Sequence, residues 1–175
     1  MSAPGINPTD LPARETARAI LIDPADRLLL ICYEASRDVD PARPGKRDFW
    51  YTPGGGREPG ETPQQTCLRE LAEETGLSGL TLGPVVARRA CPQTLFARKC
   101  FVRETYFLVR APHDRIDTSR LQETEGDPVL DVRWWEAGAL DVPDIVIDPT
   151  GIRALFLDIL AGRIPATPRD LAAAP

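Results

Sequence analysis

Gly55-Gly56-Arg57-Glu58-Pro59-Gly60-Glu61-Thr62-Pro63-Gln64-Gln65-Thr66-Cys67-Leu68-Arg69-Glu70-Leu71-Ala72-Glu73-Glu74-Thr75-Gly76-Leu77 reads as a glycine turn that runs into a helix. With Gly54, the glycines admit backbone angles and close approaches that a side chain would block, so the turn can bring carbonyls near a ligand. Thr62 offers an N-cap hydroxyl, Pro63 suits the first helical position, and Gln65 completes a Thr-x-x-Gln capping box. Gly76 stands where a left-handed cap closes a helix. The spacing therefore predicts a helix from Pro63 to Thr75.

On that helix Glu70, Glu73 and Glu74 fall at i, i+3 and i+4 and share one face, while Leu68, Leu71, Ala72 and Thr75 take roughly the opposite one. Like charges at this spacing repel by a few tenths of a kcal/mol per pair, and by more when buried. Arg69 supplies one offsetting charge. All-oxygen carboxylate ligation points to a hard divalent cation, Mg²⁺ or Mn²⁺, for the rest. A glutamate-rich helix is usually no more than a solvated face. The longer pattern argues otherwise: Gly-x5-Glu-x7-Arg-Glu-apolar-x-Glu-Glu-x-Gly-apolar is met at Gly55, Glu61, Arg69, Glu70, Leu71, Glu73, Glu74, Gly76 and Leu77. At ordinary residue frequencies such a match arises by chance on the order of once in a billion windows.

This stretch resembles the Nudix box at every defined position. Phe49-Trp50-Tyr51-Thr52-Pro53-Gly54 ahead of it, the strand Tyr106-Phe107-Leu108-Val109 and Arg133-Trp134-Trp135-Glu136 also look like recurring Nudix features, and the looser likeness runs from about Arg14 to Gly162. The resemblance implies an α/β/α sandwich around a mixed β-sheet. It also implies a hydrolase acting on phosphoric anhydride bonds, with Glu70 as a metal ligand or the group that orients water. Arg69 would hold the carboxylates in place, and the Gly55 carbonyl would complete the coordination. Glu73 and Glu74 are the expected metal ligands, and Glu61 braces the loop. In many members a carboxylate outside the box binds a further metal or activates the water; Glu123 and Glu125, beside Gly126 in a polar acidic segment, are the candidates here, with Glu104 on a strand as another.

Outward from the box, the chain reads as one domain. Its 175 residues are enough for a real core, and a net charge of −5 gives no sign of general nucleic-acid affinity. No apolar run approaches the roughly 20 residues that span a bilayer, and Met1 to Asp10 lacks a signal-peptide layout, so the cytoplasm is the expected compartment. Cys32, Cys67, Cys91 and Cys100 form no C-x-x-C pair and no zinc spacing, and read as reduced, buried, small apolar residues. His113, the lone histidine, reads as a surface residue.

A proline-bearing arm occupies residues 1–13, the domain 14–164 and a tail 165–175. Ala17 to Ile22 and Leu28 to Tyr33 read as a hairpin about Asp23-Pro24-Ala25-Asp26, nearly continuously apolar as in a sheet covered on both faces. Leu80 to Ala90 and Lys99 to Val109 read as further strands with a loop of Cys91 to Arg98 between them. Val132 to Trp135 reads as a last strand, Glu136 to Leu140 as a short helical turn, and Pro149 to Ala161 as an amphipathic helix stopped by Gly162. Strands around one helix, closed by a second, predict an α/β fold with a mixed sheet between helical layers.

Arg43, Lys46 and Arg47 form a basic cluster suited to a substrate phosphate, and Phe96 is a candidate for stacking on a base. The expected partner is a small-molecule nucleotide, with no nucleic acid and no membrane; a homodimer is one assembly the reading admits. ADP-ribose or a similar nucleoside diphosphate derivative is preferred as substrate over a nucleoside triphosphate. Pro92, fifteen residues past Leu77, resembles a feature of ADP-ribose-hydrolysing members, though among 18 prolines it carries little weight. The alternative from another class is a non-catalytic Nudix-fold nucleotide-binding or regulatory domain. Such domains commonly lose box carboxylates, and this chain keeps them all.

Overall fold

In the computed structural model, which describes residues 11–95, 98–121 and 127–171, the alternating side chains of strand β1 (Ala13–Ile22) feed two cores at once. Ala17, Ala19 and Leu21 pack with Cys67 and Leu71 of helix α1 (Pro63–Thr75), and Ile20 and Ile22 with Ile152, Leu155, Phe156 and Ile159 of helix α2 (Ile152–Leu160). A period of two on the strand sends neighbours to opposite faces, so one continuous apolar run lines both helical layers. The expected α/β/α layering is what forms.

The other strands among the described residues are β2 (Leu28–Glu34), β3 (Asp48–Tyr51), β4 (Gly54–Gly56), β5 (Leu82–Leu95), β6 (Arg98–Arg110), β7 (Val129–Trp135), β8 (Ile147–Asp148) and β9 (Arg169–Asp170). They form a mixed sheet in the order β8-β3-β2-β1-β6-β5-β9, with β7 on β2 and β4 on β1. β1 runs parallel to β6 along its whole length, from Ala13 beside Phe101 to Ile22 beside Arg110. On its other side it changes partner. Ile22 pairs with Leu28 of β2, whereas Thr16, Ala17 and Arg18 pair with Gly56, Gly55 and Gly54 of β4. The sheet diverges there, and this opening holds the site.

Helix α1 has the predicted ends. Thr62 caps it through the Gln65 N–H with the reciprocal Gln65 contact present, and Gly76 closes it at φ 71°. Strand limits moved outward. β1 begins at Ala13, inside the stretch assigned to an arm, and the expected 91–98 loop is mostly ladder, with Cys91 beside Val102 and Leu95 beside Arg98. Paired backbone groups carry a hairpin past the point where side-chain alternation fades. α2 begins three residues late, after Pro149, and β7 three residues early. β8 and β9 were not foreseen. Arg169–Asp170 pairs in parallel with β5, and Leu171, in the stretch read as tail, is buried in the α2-side core. All four cysteines are buried. Among the described residues no helix is long and apolar enough to cross a membrane.

Candidate active site

A cleft of about 320 Å³ opens where β1 leaves β2. β1 contributes Arg14, Thr16 and Arg18; β2 and β3 contribute Tyr33, Phe49 and Tyr51; β4 contributes its three glycines, and α1 contributes Glu70, Glu73 and Glu74. The glycine turn lies so close to its neighbours that side chains are excluded. A Cβ on Gly54, at φ 132°, would sit 2.3 Å from the Ala17 carbonyl oxygen, and one on Gly55 would sit 2.5 Å from Glu70 Oε1.

Arg69 ties the turn to the helix. Its Nε and Nη2 donate to Glu61, its Nη2 to the Gly56 carbonyl at 2.9 Å, and its Nη1 to Glu70 Oε1 at 2.8 Å and Glu73 Oε2 at 3.2 Å. Glu61 also accepts from Thr66 Oγ1 and the Glu58 N–H. Held chiefly by Arg69, the Glu61 carboxyl titrates down at about 2. One guanidinium thus spans the loop and two of the three face carboxylates.

Glu74 is set differently. Only 8% exposed, it accepts the Gly54 N–H at Oε2 over 2.7 Å. Burial pushes its carboxyl up to about 8, against the pull of the Gly54 N–H and Arg18, with Glu70 and Glu73 adding to the rise. Burial also raises Glu70, although Arg69 opposes it. Among the described residues no three His, Cys, Asp or Glu side chains converge into a cage for an ion. The donors nonetheless fit a hard divalent cation. They are all oxygen, they share one cleft, and two of them are raised by burial toward the neutral state that a nearby cation would reverse.

Beneath the turn lies a buried ionic network that sequence reasoning missed. Arg18 Nε donates to Glu104 Oε1 and Arg89 Nε to Glu104 Oε2, at 2.9 and 2.6 Å. The hydroxyls of Tyr51 and Tyr106 also donate to Glu104, and Arg89 continues to both oxygens of Asp148. Burial works against a charge on Glu104, but Arg18 and Arg89 outweigh it and hold the carboxyl down to about 2. Both Glu104 oxygens are engaged in this network, at the edge of the cleft that Glu104 also lines. The available signal was a charge inside each apolar strand, at Arg18, Arg89 and Glu104.

The basic cluster stands apart from the cleft. Arg43 is held by Asp40 and the Pro143 carbonyl, Lys46 by Asp48, and Arg47 lies 3.9 Å from Asp38. Cations near the cleft come instead from Arg14, Arg18 and Arg120. Phe96, Glu123 and Glu125 lie outside the described residues. Cys32 and Cys67 are pushed up to about 11 and 12, mainly by burial, which disfavours a thiolate nucleophile.

Comparison with known proteins agrees with this geometry. A family model described as NUDIX domain matches residues 12–155. An RNA pyrophosphohydrolase of Erythrobacter litoralis is 51% identical over 43 residues, 25% of this chain and 26% of that protein. One from Brucella ovis is 33% identical over 79 residues, 44% of this chain and 42% of that protein. The matches thus span less than half of these relatives. In three dimensions the chain is similar to the Escherichia coli ORF135 protein, with a TM-score of 0.57 at 23% identity, over 91% of this chain and 98% of the other.

Proposed function

Because this chain belongs to the Nudix family, we propose that it is a Mg²⁺- or Mn²⁺-dependent hydrolase that cleaves a diphosphate linkage in a nucleoside diphosphate derivative, ADP-ribose being the preferred type. The observation that carries this is the meeting of Glu70, Glu73 and Glu74 with the glycine turn in one cleft. A bound divalent cation would neutralise the diphosphate and lower the pKa of an attacking water.

Glu73, Glu74 and the Gly55 carbonyl are the groups that would hold that cation, with Glu70 as a further ligand or as the base that orients the water. Arg69 Nη1 ties Glu70 and Glu73 together, at 2.8 and 3.2 Å. Arg14 of β1 lines the cleft with a guanidinium suited to phosphate oxygens. The nucleoside end is assigned to Tyr33 and Phe49. Their ring centroids lie 5.8 Å apart, Tyr51 continues the strip at 6.2 Å from Phe49, and all three line the cleft. An aromatic wall beside a phosphate site offers stacking to a base.

A second reading is a 5′-triphosphate end of RNA. It is favoured by the relatives named RNA pyrophosphohydrolase. Phosphate release across ADP-ribose, nucleoside triphosphates and 5′-triphosphorylated RNA, with Mg²⁺ present, tests both. Glu74→Gln should cut turnover at least about 100-fold while the fold persists. Near wild-type turnover in that variant would end the proposal. Tight nucleotide binding with no turnover in any arm would favour the non-catalytic binding domain.

A further inference from the structure

The buried network is poorly explained as a stabilising device alone, because apolar residues of similar volume commonly do as well. Its connections lead to one place. Arg18 Nη1 donates to the Thr52 and Gly54 carbonyls, each at 2.9 Å, and the guanidinium lies 3.6 Å over the Tyr51 ring. These carbonyls bracket the start of the glycine turn, and Gly54 is the residue whose N–H meets Glu74. On the far side, Glu104 is clamped by Arg89, Tyr51 and Tyr106, and Arg89 by Asp148 of β8. Arg18 is thus the last rigid member before the turn, and its planar fork serves a carboxylate and two carbonyls together.

We infer that Arg18 and Glu104 are positioning residues that fix the glycine turn, so that the Gly54 N–H holds Glu74 Oε2 and presents the rest of that carboxylate to the cleft. This rests on Glu74 acting in the hydrolysis proposed above. Neither residue needs to touch the reacting atoms, because both act through the backbone of residues 52–54. A lysine at position 18 keeps the charge but cannot serve all three acceptors and stack on Tyr51.

The test is Arg18→Lys in the full chain. With ADP-ribose, kcat should fall about 10- to 100-fold while KM stays within about twofold, since a misplacement of about 1 Å at a reacting group costs that much. Without substrate, the Mn²⁺ dissociation constant measured by calorimetry should rise about tenfold. Should Arg18→Lys not fold, Tyr51→Phe keeps the ring under Arg18 and removes the hydroxyl from Glu104 and Arg89. It should shift the Gly54 amide resonance and lower kcat in the same sense. A folded variant with kcat, Mn²⁺ affinity and Gly54 resonance unchanged overturns the inference, as does a loss confined to KM, which would make Arg18 a substrate contact. If the wild type cleaves no anhydride, the reading of the site fails, while Mn²⁺ affinity and the Gly54 amide still decide whether Arg18 positions the turn.

Discussion

Glu74 is buried, whereas the metal-binding role proposed for it needs a charge, and the two demands conflict. Its carboxyl sits at about 8 where an ordinary glutamate sits at 4.5, because desolvation outweighs the Gly54 N–H and Arg18. The sign follows. The unfolded chain ionises above about 4.5 and the folded one only above about 8, so stability is intact at low pH and falls as pH rises between them. Glu74→Gln should therefore raise the melting temperature more at pH 9 than at pH 5. A difference that does not grow with pH would mean the carboxylate is solvated. The same proton must leave before the group can ligate a cation, so apparent Mg²⁺ affinity should weaken as pH drops below about 8, with proton release on binding. Calorimetry in two buffers of different ionisation enthalpy counts that proton.

At the scale of elements, what could be read from the sequence divides by range. Helix α1 was legible to the residue because Thr62, Pro63, Gln65 and Gly76 act within one turn of the ends they set. The face bearing Glu70, Glu73 and Glu74 follows from the helical period alone. Strand ends were less legible, since backbone pairing with a distant partner decides where a ladder stops. The network under the turn was legible only as a charge inside each apolar strand, and its pairing was not: residues 18, 89, 104 and 148 are joined only by sheet register, with Thr16 beside Glu104 across β1 and β6 and Arg89 beside Glu104 across β5 and β6. Glu104 lies well below 4.5 when folded, so its contribution is present above about pH 4.5 and is lost as pH falls toward 2. Glu104→Gln should flatten the acid limb of the stability curve over that window. It should also cost about 3–5 kcal/mol at neutral pH, because Arg89 keeps its charge in the core. Urea melts from pH 2 to pH 7 would show both effects, and an unchanged acid limb would mean the network does not carry the acid sensitivity.

For the molecule as a whole, the two faces of the sheet have separate duties. The α1 face bears the box carboxylates, and the α2 face closes the larger core. That second face is finished by residues 169–171. Leu171 is buried among Ile152, Leu155 and Phe156, and a Cβ on Gly151 would lie 2.6 Å from its Cδ2. Gly151 is therefore small because Leu171 is seated there. Two residues of β9 bring Leu171 in, and their short ladder with β5 contributes little beside the burial of one leucine. Leu171→Ala should cost about 2–4 kcal/mol through lost transfer energy and the cavity left behind. That is a large share of the roughly 5–15 kcal/mol that holds a domain of this size together. The urea midpoint should drop with the slope unchanged, since the folded state stays compact. Leu171 does not line the cleft, so kcat at a temperature where the variant remains folded should match the wild type. If kcat fell with the fold intact, disturbance at the α2 face would be reaching the glycine turn. The route open to it is Arg88 beside Asp170, then Arg89, Glu104 and Arg18.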